Sequence, residues 1–184
     1  MFVPGREVRG ASYTVEEVPA RPGSLTIEDV ERIVNGDVAN GSQVPNGPTA
    51  HGRLSLDEMR QLVAAHNLSG QPDELIIAVA WKESSFNPDA HAPPPNTATG
   101  LMQMNRGAIA ELNKSMPAGL EYDHARMSLP VDNIEAGSTY LQRRIDGAGG
   151  NLLKGLNGYG TGVGYGDSII KRTACLQAGG GGCF

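Results

Sequence analysis

The stretch Leu75-Ile76-Ile77-Ala78-Val79-Ala80-Trp81-Lys82-Glu83-Ser84-Ser85-Phe86-Asn87-Pro88 reads as an apolar helix that runs out on a carboxylate. Pro72 suits the first helical position, and Asp73 and Glu74 favour the positive end of the helix dipole. Ile76, Val79, Ala80 and Glu83 fall at i, i+3, i+4 and i+7, so Glu83 shares the apolar side of the helix. The helix is predicted to end near Ser84, and Asn87-Pro88 then forces a loop. A carboxylate on the apolar side, in the last turn where the dipole disfavours negative charge, has its pKa pushed up. That is the state a general acid needs near neutral pH. The plainer reading is a structural glutamate, partly exposed or paired.

Outward from this helix the pattern stays helical. Ser55 and Glu58 form a capping box, with Leu56, Met59, Leu62 and Val63 supplying the apolar face behind it. Pro93 to Pro95 interrupts the chain after Asn87, and an irregular flap or short hairpin is expected up to Leu101. Further helices are predicted over Arg106 to Met116, after Pro130 with Ile134, Leu141 and Ile145 on one side, and from Asp167 to Leu176. After Asp146 the chain is dense in glycine, and no helix is predicted before Asp167. Upstream, residues 1–54 are rich in Pro, Gly and polar residues. They hold one short helix, capped by Thr26 with Asp29 three residues on, apolar at Ile27, Val30 and Val34, and ended by Asn35-Gly36. The expected organisation is an irregular N-terminal arm over 1–54 and one mainly α domain over 55–184.

Composition narrows the function. The chain has 184 residues, a net charge of -5 and no basic patch, which argues against a nucleic-acid partner. No run is long enough to span a membrane. Met1 to Gly10 carries charges and lacks the apolar core of a secretory signal. Cys175 and Cys183 flank a spacer with four consecutive glycines, which lets the sulfurs meet; two free thiols are the alternative. A disulfide would imply an oxidising compartment. His51, His66, His91 and His124 are dispersed and match no zinc spacing, so no metal or organic cofactor is expected.

Several segments recur in one order. Glu83-Ser84-Ser85-Phe86-Asn87-Pro88-Asp89-Ala90 is followed by Gly100-Leu101-Met102-Gln103-Met104, by Asn133-Ile134-Glu135-Ala136-Gly137 with Tyr140-Leu141, and by Leu156-Asn157-Gly158-Tyr159-Gly160-Thr161-Gly162-Val163. The set resembles the soluble lytic transglycosylases and their goose-type lysozyme relatives, over about Leu75 to Thr173. The resemblance implies a lysozyme-like fold. It implies Glu83 as the single catalytic glutamate and Ser84 as its support. It implies Met102 and Gln103 as lining of a sugar cleft, Asn157 and Tyr159 as a motif approaching the substrate, and Tyr165 as a hydrogen-bond partner of the acid. The plainer readings are that Ser84 ends the helix, Met102 packs in the core, Gln103 is a buried amide bonded to backbone, and the glycines from Gly158 to Gly166 are turns. Asn105-Arg106 stands where the family often has Pro, and Gly158-Tyr159 departs from its third motif.

The resemblance implies cleavage of the β-1,4 bond between N-acetylmuramic acid and N-acetylglucosamine in peptidoglycan glycan strands. The product depends on a second group: a carboxylate that positions water gives hydrolysis, while the muramic C6 hydroxyl gives a 1,6-anhydro sugar. Asp89, Glu121 and Asp123 are the candidates for a second carboxylate, and their presence tips the expectation slightly toward a hydrolytic muramidase. Peptidoglycan is itself usually anionic, so an acidic enzyme gains no long-range steering toward it and must recognise it by a shaped groove. A wall-cleaving chain without a visible signal resembles the small muramidase toxins that bacteria inject into a competitor's periplasm by a secretion machine such as type VI. That role implies an immunity protein that plugs the groove in the producing cell. A housekeeping or phage lytic transglycosylase, a non-catalytic glycan-binding module and a secretion-apparatus scaffold are the alternatives.

Overall fold

The computed structural model describes residues 52–179 and 182–184. The helix expected around Ile27 to Val34 and the linker after it lie outside the described residues. Six α-helices follow: α1 (Leu56–His66), α2 (Asp73–Ser84), α3 (Arg106–Asn113), α4 (Pro130–Gly147), α5 (Leu152–Tyr159) and α6 (Tyr165–Gln177). A single 3-10 turn, His124–Arg126, precedes α4. No strand occurs among the described residues, and no described helix is long and apolar enough to cross a membrane.

The central element is α2. Leu75 through Ala80 are all buried, so the helix is apolar around its circumference rather than along one stripe. It packs on α1 and α6; α4 packs on α1, α3 and α5, and α5 also lies against α6. The capping box on α1 forms as expected, with Glu58 Oε2 accepting from the Ser55 amide at 2.7 Å and Ser55 Oγ accepting from the Glu58 amide at 3.2 Å. A second apolar cluster, Met104, Ala108, Ile109, Leu112, Met127 and Ala136, joins α3 to α4.

The expected flap exists as irregular backbone. The Ala92 amide donates to the Ala98 carbonyl at 2.9 Å, and Thr99 pairs with Met104 in both directions. α6 spans Tyr165–Gln177 rather than the expected Asp167 to Leu176, and α3 falls short of its expected end. α3 stops at Asn113 rather than Met116 because Met116 precedes Pro117, which disfavours helical backbone. The Asn113 side chain instead exchanges hydrogen bonds with the Tyr122 backbone at 2.8 and 2.9 Å.

α5 occupies a glycine-dense segment in which no helix is predicted. Its start is fixed by Asn151, whose Oδ1 accepts from the Lys154 amide at 2.9 Å. Gly155 is required by packing, not by a turn: a Cβ there would lie 2.6 Å from Ile145 Cγ1 and 2.7 Å from Ile145 Cα on α4. Cys175 and Cys183 form a disulfide with Cα atoms 5.8 Å apart.

Candidate active site

Glu83 lies in the last turn of α2 and is half-buried. The helix cannot continue past Ser84. Ser85 and Phe86 both take left-handed backbone, with φ of 51° and 63°, and the Ser85 amide closes the turn on the Trp81 carbonyl at 2.8 Å. Two consecutive non-glycine residues in this region are uncommon and persist where the surroundings hold them. The Phe86 ring is buried, and its carbonyl accepts from the Leu54 amide at 2.9 Å.

Ser84 is buried, and its hydroxyl sits 3.0 Å from the Ala80 carbonyl and 2.9 Å from the Leu101 carbonyl. The end of α2 is thereby tied to the backbone strip Thr99–Met102. That strip is held from the other side by Asn133 of α4, which is fully buried. Asn133 Oδ1 accepts from the Met102 amide at 2.7 Å, and Nδ2 donates to the Thr99 carbonyl at 2.9 Å and the Met127 carbonyl at 2.7 Å. Gly100, at φ 83°, makes this possible, since a Cβ would stand 2.1 Å from the Met127 carbonyl oxygen and 2.3 Å from Asn133 Nδ2.

Two tyrosines close the site. Tyr165, at the start of α6, donates its hydroxyl proton to Glu83 Oε1. Tyr159, at the end of α5, donates to the Met102 carbonyl at 2.7 Å. Gly160 leaves room for the Tyr165 ring, because a Cβ would lie 2.1 Å from Tyr165 Cε2. Asn157 Oδ1 accepts from the Gly166 amide at 2.9 Å and so fixes the first turn of α6.

Burial holds the Glu83 carboxyl above its ordinary range, opposed by the Tyr165 hydrogen bond and by the Lys82 ammonium. Burial first, and then the Glu83 charge, push both tyrosine hydroxyls well up, so they remain protonated donors. The arrangement is one half-buried carboxyl able to give and retake a proton, with a fixed donor on one oxygen.

Of the residues singled out in the sequence, Glu83, Ser84, Tyr159 and Tyr165 converge here. Met102 contributes its backbone; its side chain is fully buried against Gly137, where a Cβ would lie 2.5 Å from Met102 Sδ. Its side chain therefore packs in the core rather than lining a cleft. Gln103 spends its amide on the Ala90 and Gly100 carbonyls, at 3.0 and 2.9 Å, and so braces the flap. The Asp89 amide donates to Asn87 Oδ1 at 3.0 Å. Glu121 Oε2 accepts from the Gly119 amide at 2.6 Å, and Asp123 Oδ1 from the Ala125 amide at 2.9 Å.

Asn133 and the Leu101 carbonyl escaped a reading of single residues. The available signal was an amide on the same helical side as Ala136 and Gly137, where an apolar residue would be expected.

The family model for the transglycosylase SLT domain matches residues 62–176. Among solved structures, the 70 kDa soluble lytic transglycosylase Slt70 from Escherichia coli is similar at 23% identity with a TM-score of 0.48. The match covers 65% of this chain and 19% of that one. The same enzyme in complex with bulgecin A matches with the same identity, coverage and TM-score. The chain spans about a fifth of the length of these solved relatives. The match to the family model runs from within α1 through α2 to α5 and into α6 as far as Leu176, and the chain belongs to the transglycosylase SLT domain family.

Proposed function

We propose that this domain cleaves the β-1,4 bond between N-acetylmuramic acid and N-acetylglucosamine, with Glu83 as the one proton-transfer group, and releases 1,6-anhydromuramic products. The observation that carries the reading is the half-buried Glu83 carboxyl, raised by burial and held by the Tyr165 hydroxyl. Protonated Glu83 gives its proton to the glycosidic oxygen as the bond to the anomeric carbon breaks through an oxocarbenium-like state. The resulting carboxylate takes the proton of the muramic C6 hydroxyl, whose oxygen closes on the anomeric carbon. The acid is restored and no water is consumed.

Hydrolysis by inversion would need a second carboxylate about 6.5–9.5 Å away, with a water between the two. The sequence tips slightly toward that outcome, whereas the proposed reading favours the anhydro product. The charge acting on Glu83 is the Lys82 ammonium, while Glu121 and Asp123 are engaged as acceptors within their own turns. Mass spectrometry of muropeptides from digested peptidoglycan tests the reading. Anhydro ends, lighter by one water than reducing ends, are expected with the native domain and absent with Glu83→Gln. Reducing ends at the first time points would replace transglycosylation by hydrolysis, and intact sacculi would remove the assignment altogether.

A peptidoglycan substrate supports action outside the cytoplasmic membrane, and the Cys175–Cys183 bond supports an oxidising compartment. In the antibacterial-effector form of this reading, the chain is delivered into a competitor's periplasm and a dedicated inhibitor covers the Glu83 groove in the producing cell. Co-purification of such an inhibitor, lost on substitution around Tyr159 and Tyr165, would support it.

A further inference from the structure

The segment after α6 returns to the end of α2. The Phe184 ring lies 4.6 Å from Trp81 and 5.3 Å from Phe86 between centroids, and those two rings are 5.1 Å apart in an edge-to-face contact. Arg172 of α6 holds the returning backbone twice. Its Nε donates to the Cys183 carbonyl at 3.0 Å, and its guanidinium sits 5.7 Å from the centroid of Phe184. The Cys175–Cys183 bond fixes the start of the return.

The spacer between the two cysteines contains Gly179 to Gly182. Glycine loses the most backbone freedom on ordering, so without the covalent closure the Phe184 ring and the Arg172 contacts must offset a large entropy cost. What Phe184 covers is the left-handed Ser85–Phe86 turn that directly follows Glu83 and Ser84. That turn keeps its unusual backbone only while its surroundings hold it.

We propose that Phe184, pinned by the disulfide, is a positioning residue for Glu83, so that full lytic activity requires the oxidised protein. The inference rests on the reading of Glu83 as the proton-transfer group. A dithiol reductant opens the bond. Its two thiols become a disulfide, and the two electrons and two protons pass to Cys175 and Cys183 as thiols. Phe184 then leaves Trp81 and Phe86, the turn loosens, and Glu83 loses register with the Tyr165 hydroxyl and the sugar. The domain would be attenuated in a reducing cytoplasm and reach its full rate where thiols are oxidised.

Trp81 is the only tryptophan in the chain, so its emission reads the docking of Phe184 independently of turnover. The experiment follows Trp81 emission and cleavage of purified peptidoglycan across a dithiothreitol redox series, with free thiols counted by alkylation and mass spectrometry. Reduction is expected to shift the emission and lower kcat by about threefold or more with little change in KM, both recovering on reoxidation. Phe184→Ala, with the disulfide intact, is expected to have the same low kcat and to respond no further to thiol. If reduction unfolds the domain at the assay temperature, the Phe184→Ala rate decides alone. An unchanged emission on full reduction, a fully active reduced domain, or a fully active Phe184→Ala overturns the proposal. If the oxidised native protein cleaves nothing, the functional reading fails, and the emission still decides whether Phe184 docks in a redox-dependent way.

Discussion

At the scale of single residues, the site rests on a carboxyl that folding makes harder to ionise. Glu83→Gln keeps the shape and can still accept from the Tyr165 hydroxyl, but it carries no transferable proton. Cleavage should fall by at least about 10²–10⁴, the usual contribution of a positioned acid–base group. The same substitution should stabilise the fold at neutral pH. A carboxyl whose pKa is raised by folding contributes stability that is full below its unfolded value and lost as pH rises through the folded one. Above the unfolded value, and so at pH 7, the raised Glu83 carboxyl costs the fold stability, and a neutral amide relieves that cost. Thermal melts at pH 7 check this, and a lower melting temperature for Glu83→Gln would contradict it. Tyr165→Phe separates the proton from its support. The Tyr165 hydrogen bond holds the Glu83 pKa down against burial, so its removal moves the pKa further up. The alkaline limb of the pH–rate profile should shift to higher pH while the maximal rate drops about tenfold through loss of positioning. An unmoved limb would mean that Glu83 is not the titrating acid.

Among the elements, two contacts hold the site together, and each invites a test. α5 sits on α4 through the missing side chain of Gly155. Alanine is the better helix former by roughly 1 kcal/mol. Yet the new methyl would meet Ile145 backbone at 2.7 and 2.9 Å, which only a shift of the helices can relieve. Gly155→Ala should lower stability by about 1–3 kcal/mol in urea unfolding, against its propensity. Asn133→Ala would strand the Met102 amide and two carbonyls in the interior, so a loss on the order of 3 kcal/mol or more is expected. The legibility of these elements followed the same physics. α1 and α2 were readable because their caps and apolar spacing are local. So was the place of Glu83 at the half-buried end of α2, because the apolar run before it and the Asn87-Pro88 break after it both mark the helix end. α5 was not, because two glycines lower its propensity for a reason that lies in Ile145 of another helix. The roles of Met102 and Gln103 were open for a like reason: both side chains find partners, Gly137 and the Ala90 carbonyl, that are distant in sequence. Asn133 supports the site through three backbone groups, a pattern no linear spacing encodes.

For the molecule as a whole, charge, disulfide and substrate converge on where the chain can act. A net charge of -5 gives no attraction to an anionic polymer, so encounter with the proposed peptidoglycan substrate would depend on confinement beside it and on shape rather than on charge. The cytoplasm offers neither polymerised peptidoglycan nor the oxidising conditions that keep Cys175 and Cys183 joined. Expression in a Gram-negative host therefore separates the possibilities. Carried to the periplasm by an added signal peptide, the chain should slow growth and round or lyse the cells. Retained in the cytoplasm at the same level, it should be tolerated. The periplasmic toxicity should vanish with Glu83→Gln, since binding without proton transfer leaves the glycan strands intact. It should weaken, rather than vanish, with Phe184→Ala, because that residue acts only by holding the turn behind the acid. Toxicity that persisted in Glu83→Gln would point to the fold acting as a binding module. Equal toxicity from both compartments would point to a target other than the wall.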